Sequence, residues 1–140
     1  MGSARDLVQR IYGFDWVGIR SRSEGFDELR SLVADDFDSQ LSPELGEKTL
    51  SGVQGLEMFN EAVEQDFSEF RYDAEEYEEL GDDRVLVLGK MFVRARATGM
   101  PLSGDFGHIW TVRDGLASHV VAYRDWDEAR SAAAGSQRTG

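Results

Sequence analysis

The stretch "GHIWTVRDG", Gly107 to Gly115, sets His108, Trp110 and Val112 in alternation with Gly107, Ile109 and Thr111, and then stops at Asp114-Gly115. Alternation of period two is the pattern of a β-strand, whose successive side chains point to opposite faces. Asp-Gly between alternating apolar segments is the strongest short-range hairpin signal, because a type I′ turn needs positive φ at both central residues. The strand that returns is "LASHVVAYR". Counting outward from a two-residue turn sets Trp110 opposite His119, His108 opposite Val121, Ile109 opposite Val120 and Gly107 opposite Ala122. The same register puts Asp105 across from Arg124. One face of the hairpin then carries His108, Trp110 and His119, and the other is small and apolar and ends in the Asp105–Arg124 pair.

Earlier in the chain the period differs. Leu7, Val8, Ile11 and Phe14 recur at helical spacing after a capping pattern at Ser3 and Asp6, and Tyr12 and Trp16 lie four apart on a neighbouring face. Phe26, Leu29, Leu32 and Val33 suit a short second helix, and "VADDFDSQLSPEL" a turn and a short strand. Leu56, Phe59, Val63 and Phe67 suit a third helix, opened by Ser51 and Gln54. From Phe70 the period becomes two, with "FRYDAEEYEEL", "RVLVLGKMFVRARA", "GDFGHIWTV" and "ASHVVAYR" as strands parted by glycine-bearing turns. Helices first and a strand meander last predict an α+β domain with the helices on one face of a curved antiparallel sheet. One domain is expected over residues 1–130, with a polar tail over 131–140.

Composition narrows the function classes. Of the formal net charge of −12, the segment Glu57–Asp83 holds nearly all, twelve acids against the single base Arg71. Such a surface repels nucleic acid and anionic lipid, so neither is an expected partner. The chain has no cysteine, which removes disulfides, thiolate metal sites and a cysteine nucleophile, and fits a reducing, cytoplasmic setting. The N-terminal residues lack the apolar run of a signal peptide, and no apolar stretch approaches the roughly 18 residues of a membrane span. "EEYEE", Glu75–Glu79, reads as a solvated strand edge protected by charge rather than as a metal site. No metal or cofactor is expected, since two histidines lack the third protein ligand a catalytic zinc needs.

Helices followed by "GVQGLEMF", "GDDRVLVLG" and "GHIWTVRDGLASHVVAYRDWDEA" resemble the SnoaL-like branch of the NTF2-like superfamily over residues 4–130. The resemblance implies a cone-shaped fold in which a curved sheet wraps around a pocket closed by the N-terminal helices, and a dimer formed through the outer face of the sheet. It also implies activities of the kind found in ketosteroid isomerase, polyketide cyclases, limonene epoxide hydrolase and scytalone dehydratase. In the isomerase a tyrosine of the first helix polarises a carbonyl, and Tyr12 falls near that place. The isomerase's general base corresponds to the neighbourhood of Gln40 and Leu41, and its protonated acid to Gly107, so two of its three groups are missing. The epoxide hydrolase pattern of acid and arginine matches Asp105 and Arg124, without an identifiable second aspartate.

The residues expected to carry chemistry are therefore Asp105 as acid or base, Arg124 as its orienting cation and Tyr12 as a polar handle. Trp16, Phe37, Gln40, Phe59, Met91, Gly107 and Ile109 are expected to line the pocket. His108, Trp110 and His119 are expected at a dimer interface, where histidines would make association respond to pH near about 6–7. Three functions stay open. One is a cofactor-independent acid–base enzyme acting on a small, largely apolar oxygenated molecule. The second is a non-catalytic carrier of such a ligand, and the third is a dimeric association module.

Overall fold

Asp114 and Gly115 adopt φ of 55° and 78°, the paired positive values of a type I′ turn, and Arg113 faces Leu116 across it. This computed structural model describes residues 4–12, 28, 30–41, 49–51, 61, 63–81, 83–123 and 125–138, with backbone alone at 41, 49–51 and 135–138. Trp16, Phe59 and Arg124 lie outside the described residues, as does most of the expected second helix.

Helix α1 spans Ala4–Tyr12, and six strands follow: β1 Val33–Leu41, β2 Thr49–Ser51, β3 Phe67–Glu79, β4 Arg84–Ala95, β5 Pro101–Arg113 and β6 Leu116–Tyr123. Helix α2, Trp126–Arg138, closes the chain. The strands form one curved sheet in the order β2-β1-β6-β5-β4-β3. The strands from β3 to β6 are an antiparallel meander, as their alternation predicts. The sheet as a whole is mixed, because β1 runs parallel to β6, with Asp38 beside His119 and Gln40 beside Val121. Val33 opens a nine-residue strand instead of ending a helix, and Phe67 opens β3 instead of closing the third helix. Both are apolar residues that a helical count includes and a sheet can use equally well.

The hairpin register departs from simple counting three residues past the turn. Val112 faces Ala117 as expected, but Thr111 faces His119, so Ser118 is an extra residue in β6. Its hydroxyl donates to the carbonyl of Thr111 at 3.2 Å, which holds the bulge. Beyond it Trp110 faces Val120, His108 faces Ala122 and Gly107 faces Tyr123. A shift of one residue moves a side chain to the opposite face. His119 is thereby separated from His108 and Trp110 and joins Thr111 and Ile109.

The two faces follow from this register. On the inner face β4 offers small residues where β5 offers large ones: Val85 pairs with Trp110, Val87 with His108 and Gly89 with Phe106. Val8 and Ile11 of α1 pack into this side with Leu32, Phe37 and Val120. A nine-residue helix is marginal alone in water, so α1 depends on that burial. The outer face carries Leu86, Leu88 and Ile109 beneath Ala129 and Ala133 of α2. The expected polar tail is thus a helix whose alanine side belongs to the core. Trp126 donates its indole hydrogen to the carbonyl of Gly89 at 3.0 Å, and Arg130 reaches Glu76 at 3.0 Å.

The acidic segment forms edge strand β3, where Glu69, Asp73, Glu75, Glu76, Glu78 and Glu79 face solvent. Charge along an exposed edge discourages pairing with another chain. A bulge at Glu75 lets Tyr72 and Tyr77, five positions apart, turn to the same side.

Gly89 is the most crowded of the described glycines. A Cβ there would lie 2.2 Å from the Asp73 carbonyl oxygen and 2.8 Å from Phe106 Cε2. Gly89→Ala is expected to lower stability by about 2–3 kcal/mol through overpacking. Gly104→Ala, where nothing lies within 4 Å, is expected to be close to neutral. Urea midpoints of the two variants check this, and an unchanged midpoint for Gly89→Ala would contradict the approach of β3 to β4.

Candidate functional site

Tyr12 ends α1, and the helix turns it onto the inner face of the sheet among Tyr72, Tyr77, Phe106, His108 and Trp110. Its ring meets Tyr72 and Trp110 edge-on at centroid distances of 5.9 Å each and lies nearly parallel to His108 at 5.9 Å. Tyr72 closes on Phe106 at 5.0 Å and on His108 at 5.2 Å. Phe37 stacks on the far side of Trp110 at 6.2 Å. Met91 packs at the margin of the same cluster.

Within this aromatic wall runs one chain of hydrogen bonds. Trp110 Nε1–H donates to Tyr12 Oη at 2.8 Å, and Tyr12 Oη is bonded in turn to His108 Nδ1. An indole N–H can only donate, so the phenol oxygen is the acceptor of the first bond. Burial pushes the Tyr12 hydroxyl well above its ordinary range, more than the Trp110 hydrogen bond lowers it, so the phenol keeps its proton. Burial also takes His108 from its usual 6.5 down to about 3, so the imidazole is neutral at physiological pH. His108 is the buried polar residue of this wall, 9% exposed. Its Nδ1 is bonded to Tyr12, and its Nε2 meets no protein partner among the described residues. The side-chain atom both sealed and unpaired among those residues is Glu64 Oε1, not His108 Nε2.

His108 and Trp110 are therefore inner-face residues, which corrects their expected place on the outer face. The small-residue face of β4 and the histidine–tryptophan face of β5 are one and the same, because Val85 and Val87 pair with Trp110 and His108. His119 stays on the outer face, half-exposed, with Nδ1 bonded to Asp38. Gly107 and Ile109 also face outward, under α2: a Cβ on Gly107 would sit 2.5 Å from Ala129 Cβ. Asp105 follows them outward and pairs with Lys90 at 2.6 Å in solvent, with Lys90 Nζ 5.4 Å from the Trp126 ring centroid. It does not meet Tyr12, which lies across the sheet. Gln40 is exposed on β1. Tyr12, Phe37 and Met91 lie in this cluster, and Tyr72, Tyr77 and Phe106, which sequence reasoning did not place at the site, join them. Among the described residues no three metal-ligating side chains gather, and no helix is long and apolar enough to cross a membrane.

Solved structures share this architecture. An NTF2-like protein of unknown function from Burkholderia pseudomallei K96243 superposes with a TM-score of 0.71 at 22% identity, over 91% of this chain and 95% of that one. TerC, in a crystal grown with polyporic acid, gives 0.70 at 24% identity over 94% and 98%. A protein of Jannaschia sp. CCS1, provisionally assigned as a SnoaL-like polyketide cyclase, gives 0.71 at 15% identity over 92% and 90%. No protein-family model and no curated protein matches the chain. The fold is the NTF2-like α+β fold shared with SnoaL-like and ketosteroid isomerase-like proteins.

A buried neutral histidine leaves a signature in stability. The unfolded chain takes up a proton at His108 below about pH 6.5, and the folded chain does so only near 3. The native state thus loses stability as pH falls from about 6.5 towards 3, by about 1.4 kcal/mol per unit for this one group. Between pH 6 and 4 the unfolding free energy of His108→Gln is expected to fall less steeply than that of the parent. Parallel slopes in urea titrations at several pH values would exclude a buried neutral His108.

Proposed function

We propose that the chain binds a small, largely apolar oxygenated molecule against the aromatic inner face, with His108 as the polar group that meets it. The observation that carries this reading is the uneven partnering of His108. A histidine kept only for packing is expected to satisfy both ring nitrogens when buried. Here one nitrogen is fixed by Tyr12 and the other is presented among apolar rings. Apolar walls with few fixed polar groups are the usual make-up of a small-molecule site. The co-crystal of TerC with polyporic acid supports the class of ligand, since that protein has the same fold.

The chemistry that suits such a group is acid–base work on a carbonyl compound, of the isomerase or cyclase type. A neutral imidazole can polarise a carbonyl oxygen by donating a hydrogen bond. A second reading, a non-catalytic carrier, is favoured by a specific feature. Among the described residues no carboxylate acts on Tyr12 or His108, whose proton affinities are shaped by burial, by Trp110 and by the neighbouring tyrosines. Both readings share the site and differ in turnover.

Saturation-transfer NMR with a panel of bicyclic ketones, quinones and phenols tests the shared part. Binders are expected whose signals weaken at least about tenfold in His108→Phe and persist in Asp105→Asn. Hits that respond to Asp105→Asn and ignore His108→Phe would refute the placement of the site. Turnover of any binder would decide for the enzyme over the carrier.

A further inference from the structure

The tyrosine of the first helix is where the family resemblance puts a group that touches the substrate. The geometry gives it different work. We propose that Tyr12 is a positioning residue that locks His108 in the Nε2–H tautomer, so that the site presents a fixed hydrogen-bond donor and selects ligands with a carbonyl-type acceptor oxygen. This rests on the reading of the inner face as a ligand site.

The lock follows from counting protons. Trp110 Nε1–H occupies the Tyr12 oxygen as donor, at 2.8 Å. The phenol has one hydrogen of its own, and the acceptor it meets among the described residues is His108 Nδ1. In a neutral imidazole one nitrogen donates and the other accepts. With Nδ1 accepting, the ring hydrogen is on Nε2, the nitrogen without a partner among the described residues. Were Nδ1 protonated instead, the buried phenol hydrogen would have no acceptor among the described residues, which is costly in an apolar wall. Tyr12 is thereby fully engaged, its oxygen receiving and its hydrogen given. A ligand oxygen cannot take the tyrosine's hydrogen without breaking the bond to His108.

The surroundings hold this order. Phe106 and Tyr72 lie 4.7 Å and 5.2 Å from the His108 ring, which restricts its rotation. Val87 faces it from β4. Tyr77 and Tyr72 flank Tyr12, and burial raises both of their hydroxyls, so no phenolate stands nearby to draw a second proton onto the imidazole. Because Tyr12 arrives on α1 and its two partners on β5, the tautomer is set by a contact between helix and sheet.

The test has two independent readouts. Long-range proton–nitrogen NMR of the histidine rings in the full-length protein reports the tautomer directly. The parent is expected to show His108 with an accepting Nδ1 and a protonated Nε2. Tyr12→Phe removes the lock with little change of shape and is expected to give a mixture of tautomers or the Nδ1–H form. Trp110→Phe, which leaves the Tyr12–His108 bond intact, is expected to retain Nε2–H. The second readout compares 1-tetralone with tetralin, which differ by the carbonyl. The parent is expected to prefer the ketone about tenfold, as one net hydrogen bond allows, and Tyr12→Phe to lose most of that preference. An Nδ1–H parent, or an Nε2–H tautomer unchanged in Tyr12→Phe, overturns the lock. A tautomer that behaves as expected with neither probe bound upholds the lock and overturns the ligand reading.

Discussion

A single surplus residue, Ser118 in β6, decides which side chains of the central hairpin share a face. Without it Trp110 would stand opposite His119, and two histidines and an indole would lie together. With it, Val112, Trp110 and His108 line up against Ala117, Val120 and Ala122, and His119 passes to the other side. Everything that gives the inner face its character depends on this assignment: the seat for Tyr12, the stacking of Phe37 on Trp110 and the isolation of one neutral imidazole among rings. The outer face depends on it equally, since the same register leaves Gly107 and Ile109 for α2 to cover.

Much of this is legible from residues alone. Asp114-Gly115 specifies its turn through backbone sterics, and the period-two segments from residue 70 onward are strands in the expected order. The alternation of Val85, Val87 and Gly89 with bulkier neighbours marks out a face of β4. Small residues there do not mean empty space. They are small because Trp110, His108 and Phe106 of the adjacent strand need the room, and neighbouring strands share volume as well as hydrogen bonds. The bulge has a signal of its own. Ser118 and His119 are two consecutive polar residues between Ala117 and Val120, a spacing of three that a regular two-faced strand does not produce.

The site residues divide on the same principle. Tyr12, Phe37 and Met91 can be placed because helical and strand periods carry over short distances. Counting through a bulge pairs Asp105 with Arg124, whereas its observed partner Lys90 comes from β4, which hairpin arithmetic does not reach. Tyr72 and Tyr77 are hidden for a related reason. Five residues apart, they alternate out of phase until the bulge at Glu75 restores them to one face. Irregularities of single residues, which a regular two-residue count passes over, are what assembles the aromatic wall.

The helix at the back of the sheet has an evolutionary consequence. Position 107, where the resemblance would look for an acid, points into Ala129, so no aspartate can appear there while α2 stays seated. Acquiring that acid would take at least two linked changes, the new side chain and the retreat of the helix, with the first harmful until the second is made. Side chains on the inner face carry no such coupling to α2. Descendants of this chain can therefore diversify by exchanging residues around Tyr12 far more readily than by rebuilding the corner that α2 fills.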